Sequence, residues 1–152
     1  MLFKLSRNVP LLKKRNSSIL VSFHPQYRAR TIPYRHLKQL SNVKFVEEGT
    51  TREELWKIHG DYAFVVSPRG IGLDTHRTYE ALFLGCIVIV LSSSLDELFE
   101  DLPVVIVSRW DEITHVNLEK WFDTYKSKYT MSQVHDKLMM SHWIERIRSN
   151  VI

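Results

Sequence analysis

The chain has 152 residues, 44% of them hydrophobic and 25% charged, with 5 Gly, 5 Pro and a single Cys. That is the composition of one ordinary globular domain, too short for two full-sized ones and too apolar for disorder. The lone Cys86 excludes an internal disulfide framework or a thiolate zinc cluster, and the longest uncharged apolar run, Ala81–Leu91, falls short of a membrane-spanning helix.

Charge is distributed unevenly. Residues 1–46 carry ten Lys or Arg and no acid, whereas all seventeen acidic residues follow them. Such a segment fits a basic N-terminal arm over residues 1–18, a phosphate-bearing partner or an anionic surface. Lys4, Arg7 and Lys13 interrupt its apolar stretches, so it does not read as a secretory signal; with no anchor seen, the expectation is a cytoplasmic protein.

Past the arm, residues 19–152 read as a single domain. Ile19–His24 is the first strand-type run, followed by a short helix over Tyr34–Leu40 and a second strand over Val43–Val46. Thr51 and Glu54 have the spacing of a capping box, opening a helix that ends at Gly60. Tyr62–Ser67 is a third strand, and Asp74 or Thr75 caps a helix that Gly85 terminates. Cys86–Leu91 is apolar throughout, as a strand covered on both faces is. Ser94 and Glu97 suggest another capping box, Pro103–Val107 the last strand, and two helices over Leu118–Lys128 and Met131–Ile147 complete the chain. Apolar strands alternating with helices predict an α/β fold: a three-layer, Rossmann-like sandwich on a mainly parallel sheet, ending in C-terminal helices.

In such sheets ligands bind beyond the carboxyl ends of the strands, which directs attention to residues 24–30, 47–51, 67–77 and 92–94. The segment Ser67–Ala81 leaves a strand, passes Gly70 and Gly72, and enters a helix. Glycines there admit close backbone approach, and a helix start offers unpaired amides to an anion. Arg69 and Arg77 add guanidinium groups suited to phosphate, and Glu80, one turn beyond Arg77, is a carboxylate that can accept from a ribose diol. The same residues also fit a plain solvated turn and a surface ion pair. Neither G-x-G-x-x-G nor G-x-x-x-x-G-K-[ST] is present.

The block Ser67–Trp110 resembles the donor-binding half of exostosin-like glycosyltransferases. The resemblance is carried by Pro68-Arg69-Gly70, by Arg77-Thr78-Tyr79-Glu80-Ala81, by Gly85-Cys86-Ile87-Val88-Ile89-Val90, and by Glu100-Asp101-Leu102-Pro103. It covers about a third of the chain, and Val88 stands where the pattern has proline. It implies half of a GT-B fold, with a nucleoside-diphosphate sugar, UDP- or GDP-linked, as donor. Arg77 would then contact the diphosphate, Glu80 the ribose, and Arg69 the phosphates or sugar. The loop departs from the Glu-Gly-Phe-Gly-Leu of retaining enzymes, which favours inverting transfer. A GT-B enzyme also has an acceptor domain, for which this chain lacks the length. The resemblance therefore implies a glycan or protein acceptor and a completing polypeptide or homo-oligomer.

Several further residues sit near the implied site. Ser92 and Ser93 follow the strongest strand and are placed to bond phosphates or base; His24, Arg28 and Arg30 follow the first strand as possible anion contacts, or as a solvated loop. Asp74 and His76 are weak acid–base candidates, more simply read as a helix cap and a first-turn residue. With no D-x-D motif and scattered histidines, no metal site and no required cofactor are expected. The alternatives to a donor-binding enzyme half are a non-catalytic nucleotide- or glycan-binding module and, less favoured, a nucleic-acid binder using the basic arm.

Overall fold

The computed structural model describes residues 1–150, with side chains as far as Ser149. Five strands, β1 (Asn16–Val21), β2 (Val43–Phe45), β3 (Tyr62–Val66), β4 (Ile87–Leu91) and β5 (Val104–Val107), form one sheet in the order β2-β1-β3-β4-β5. Every pairing is parallel; Ile19 stands opposite Val43 on one side and Phe64 on the other, and Val88 lies opposite Val104. The apolar runs predicted as strands coincide with the strands, and the central ones are covered on both faces, whereas Lys44 of β2 and Ile106 of β5 at the sheet edges are exposed. Ile19, Leu20, Phe64, Val65, Ile87 and Val88 all have 0% exposure.

The helices are α1 (Leu2–Ser6), α2 (Arg28–Leu37), α3 (Arg52–His59), α4 (His76–Phe83), α5 (His115–Tyr125), α6 (Met131–Leu138) and α7 (Met140–Asn150). Leu37 of α2 and Leu118 of α5 pack with Val21, Phe64 and Ile89 on one face of the sheet. On the other, Leu55 of α3, Leu82 of α4 and Val134 of α6 pack with Leu20, Val65 and Val88. This is the expected three-layer, Rossmann-like sandwich. No helix among the described residues is long and apolar enough to cross a membrane.

Local chemistry accounts for most boundaries. The Thr51–Glu54 capping box forms: Glu54 Oε2 accepts from the Thr51 amide at 2.9 Å, and Thr51 Oγ1 from the Glu54 amide at 3.3 Å. Four expectations need correction. The helix expected from Tyr34 begins at Arg28, because Pro33 is accommodated inside α2 rather than preceding it. Ser94 and Glu97 form no capping box; Asp96 captures Ser92 and Ser93 instead, and a short 3-10 turn over Asp96–Phe99 follows. The final helix is two, α6 and α7, broken at Met139, whose backbone is extended (φ −80°, ψ 145°).

The fourth correction concerns the basic arm, which belongs to the fold. β1 begins at Asn16, inside residues 1–18, and Arg15 just before it is only 6% exposed. The Arg15 guanidinium donates to Leu84 O (2.7 Å) and Pro10 O (2.9 Å) and reaches Tyr62 O (3.4 Å) and His59 O (3.5 Å). It ties the amino edge of β3 to the carboxyl ends of α3 and α4, where partial negative charge collects. Gly85 makes room for it. At φ +77° a side chain there is strained, and a Cβ would lie 2.9 Å from Arg15 Nη2 and 2.6 Å from Met131 Sδ.

From β1 the chain crosses to β2 through α2 on one face; from β3 it crosses to β4 through α4 on the other. The carboxyl ends of β1 and β3 therefore flank the switch point of this topology, where the two loops diverge and leave a crevice.

Candidate functional site

Two arginines reach that crevice from opposite layers. Arg30, in the first turn of α2, donates from Nε to the carbonyl of Arg69 at 3.2 Å. Gly70 is what allows this approach: a Cβ there would lie 3.0 Å from Arg30 Nη2. Arg77, in the first turn of α4, lays its guanidinium 5.5 Å from the centre of the Phe23 ring, just past β1. Its Nη1 is buried and has no hydrogen-bond partner among the described residues. Burial, and then the neighbouring Arg30, push its pKa down to about 10, against the opposing pull of Glu80. An unpaired buried guanidinium is costly to keep, and an anion is the partner that would satisfy it.

The start of α4 points the same way. Thr75 sits at the N-cap position but makes no capping bond. Its hydroxyl bonds Ser67 Oγ at 2.9 Å, and Ser67 Oγ bonds Thr78 Oγ1 at 3.0 Å. The first amides of the helix are left without a side-chain cap, where the macrodipole favours negative charge. Asp74, expected as the cap, spends Oδ1 on the Thr75 amide at 2.9 Å.

Beside the arginines lies a cavity of about 590 Å³ over the carboxyl ends of β3, β4 and β5, within the usual range for small-molecule sites. One wall is the Ala29–Ile32–His36 stripe of α2; Ser67, Arg69 and Thr78 form the side nearest the arginines. Ser92 and Ser93 close the β4 end, and Arg109, Trp110 and Asp111 the β5 end. His36 Nε2 lies 2.8 Å from the Ile113 carbonyl. A carbonyl only accepts, so Nε2 is the donor.

The residues singled out from sequence divide among three places. Arg69, Asp74, Ser92 and Ser93 line the cavity; Arg30 approaches Gly70 and is close enough to Arg77 to act on its charge, and none of those three lines the cavity. Gly72, His24 and Arg28 are exposed and contribute no wall to it. Glu80 and His76 line a second hollow, of about 400 Å³, on the α3 side of α4. There Arg52 of α3 pairs with Glu80 Oε1, and Trp56 Nε1 donates to Oε2 at 2.9 Å. Arg77 and Glu80 do share one flank of α4, as i, i+3 spacing requires, but α3 claims the carboxylate.

Sequence reasoning passed over His36, Asp96, Arg109 and Asp111. The loop after β5 obeys the same carboxyl-end rule as the others, and applying the rule to it would have found Arg109 and Asp111. No protein-family model matches the chain, and no curated protein matches it. Among the described residues no group of three or more His, Cys, Asp or Glu is placed to hold a metal ion. What the arrangement offers is a cation pair for phosphate, next to a cavity with room for a nucleoside.

Proposed function

We propose that this domain binds a nucleoside-diphosphate sugar at the carboxyl edge of its sheet, as the donor half of an inverting glycosyltransferase of the exostosin type. The observation that carries the reading is the convergence of Arg30 and Arg77 from opposite layers, with Arg77 Nη1 buried and unpaired one residue before Thr78, which lines the cavity. The diphosphate lies across Arg30, Arg77 and the uncapped start of α4. Arg69 reaches toward it from the cavity side, and the nucleoside fills the cavity. The resemblance over Ser67–Trp110 supplies the reaction class. Glu80 takes no part in the binding, since Arg52 and Trp56 already hold it.

In the transfer, an acceptor hydroxyl oxygen bonds the anomeric carbon as the bond from that carbon to the diphosphate breaks. The hydroxyl proton passes to a base, and the departing diphosphate keeps the electron pair. Fixed arginines and helix amides stabilise that growing charge without reorganising. This domain supplies the donor side of that step, to a glycan or protein acceptor.

Calorimetric titration with UDP, GDP and inorganic pyrophosphate, on wild type and on Arg77→Met, tests the reading. Micromolar binding of pyrophosphate and at least one nucleotide, lost in the variant, is the expected result. A folded wild type that binds none of the three overturns it.

A further inference from the structure

Residues 1–15 form a strap across the end of the sheet opposite the cavity. α1 lies against α3 and α4, with the Phe3 ring 5.8 Å from that of Phe83. Val9 lies against Gly60 at the end of α3, where a Cβ would come within 3.1 Å of Val9 Cγ1. Leu12 packs on the other face of the sheet, in the cluster that holds Leu37 and Leu118. The strap thus passes from one helical layer to the other at the amino ends of the strands. Buried Arg15 fixes it there through Pro10 O and Leu84 O. Its outward side mixes two kinds of residue. Met1, Phe3 and Leu11 are 63%, 50% and 55% exposed. Lys4, Arg7, Lys13 and Lys14 are exposed among them, and none of the four pairs with a carboxylate among the described residues. The Arg7 guanidinium stands 4.8 Å from the centre of the Phe3 ring, so cation and aromatic are neighbours. Asp61, one residue past Gly60, is a single exposed acid beside these four cations.

We propose that this strap docks the domain on an anionic lipid surface, its cations at the level of the phosphates and Met1, Phe3 and Leu11 dipping into the acyl boundary. Charge complementarity and the exposed apolar side chains choose the partner together. A polynucleotide would take the cations, but its phosphates leave Met1 and Leu11 in water. A bilayer offers phosphates and hydrocarbon within about 5–10 Å of each other in depth, which is the pairing the strap presents. The long stems of Lys4, Lys13 and Lys14 let their charges stay in the headgroups while apolar neighbours sink below. Attachment is peripheral, and neither signal suffices alone, so binding needs both charge and apolar contact. Docked in this way, the amino end of the sheet faces the bilayer and the cavity at the carboxyl ends opens away from it. The inference therefore does not rest on what the cavity binds.

Co-sedimentation of the full chain with vesicles tests the proposal. The vesicles are phosphatidylcholine alone, or phosphatidylcholine with about one-third phosphatidylserine. The proteins are wild type, the double variant Lys13→Gln/Lys14→Gln, and Leu11→Ser. All three positions are exposed, so the variants fold and their circular dichroism melts match wild type. Wild type is expected to bind the mixed vesicles at least about tenfold tighter than the neutral ones. At roughly fivefold per lysine, the double variant loses at least about tenfold on the mixed vesicles. Leu11→Ser loses about threefold or more there, because it removes apolar area and no charge. Three results each overturn the proposal: equal binding to both vesicle types, a folded Leu11→Ser that binds as wild type does, or binding to single-stranded RNA without binding to the mixed vesicles. None of them bears on the nucleotide titrations, which read the opposite end of the sheet.

Discussion

Replacing Arg77 by methionine separates a ligand-binding arginine from a structural one. The guanidinium bears a positive charge that burial and Arg30 disfavour, which lowers its pKa from its ordinary value to about 10. At about 1.4 kcal/mol per pKa unit, holding that charge costs roughly 3 kcal/mol before discounting for the solvent that still reaches the group. At pH 7 the group is protonated in both folded and unfolded chains, so the full cost applies. Methionine keeps the apolar stem and loses the cation over Phe23, which is worth ~0.5–1 kcal/mol. The net expectation is that Arg77→Met is more stable than wild type by about 1–2 kcal/mol, raising the melting temperature by about 3–6 °C for a domain of this size. Thermal and urea denaturation followed by circular dichroism measure it, alongside the pyrophosphate titration. A variant that gains stability and loses the anion fits an arginine retained for a ligand. A variant that melts well below wild type, or binds pyrophosphate undiminished, refutes the reasoning.

Arg15→Met makes the opposite prediction. It strips the short bonds to Leu84 O and Pro10 O from buried carbonyls and lowers stability by about 3 kcal/mol, read as a fall in urea midpoint at unchanged slope. Buried His59 has its pKa lowered from 6.5, chiefly by desolvation. Its stabilising contribution is complete above that value and is lost as pH falls through its folded pKa. The urea midpoint should therefore drop between pH 7 and pH 5, and less so in His59→Gln. Glu80→Gln weakens the tie to Arg52 and Trp56 at a cost of about 1 kcal/mol, and nucleotide affinity stays within about twofold; a loss matching that of Arg77→Met would return the carboxylate to the binding site.

The sheet was legible because its central strands are covered on both faces, which leaves an apolar signature that turn residues delimit. β1 departs from this at its start, where Asn16 and Ser17 are polar and exposed and Asn16 pairs with Tyr62 at the sheet margin, where no burial demands apolarity. The early start of α2 was not legible because Pro33 lies inside the helix, where proline is normally disfavoured. The site was legible only one element at a time. The 3.6-residue period put Arg77 and Glu80 on one flank of α4, but which neighbour each would meet depends on how α3 and the end of β1 sit against that helix. Arg52 and Trp56 lie 28 and 24 residues from Glu80, and the Arg30–Arg69 contact spans 39. Asp96 was read past because a serine run followed by acid resembles a helix cap, and its capture of the serines depends on a turn that local pattern does not reveal.

The strand order also governs how the chain must assemble. β1, the first of the five strands, pairs with β3 across more than forty residues, Ile19 meeting Phe64, and β2 adds at the outer side of β1. Among the described residues no hairpin is available as a local seed, so each pairing waits for a crossover to close, and chains of high contact order fold slowly. During synthesis β1 and β2 are exposed to solvent until β3 has emerged, and the sheet gains its far edge only with β5. An elongation pause placed before Tyr62 would therefore prolong an apolar, aggregation-prone nascent state, whereas one placed after Val107 would find the five strands already able to close.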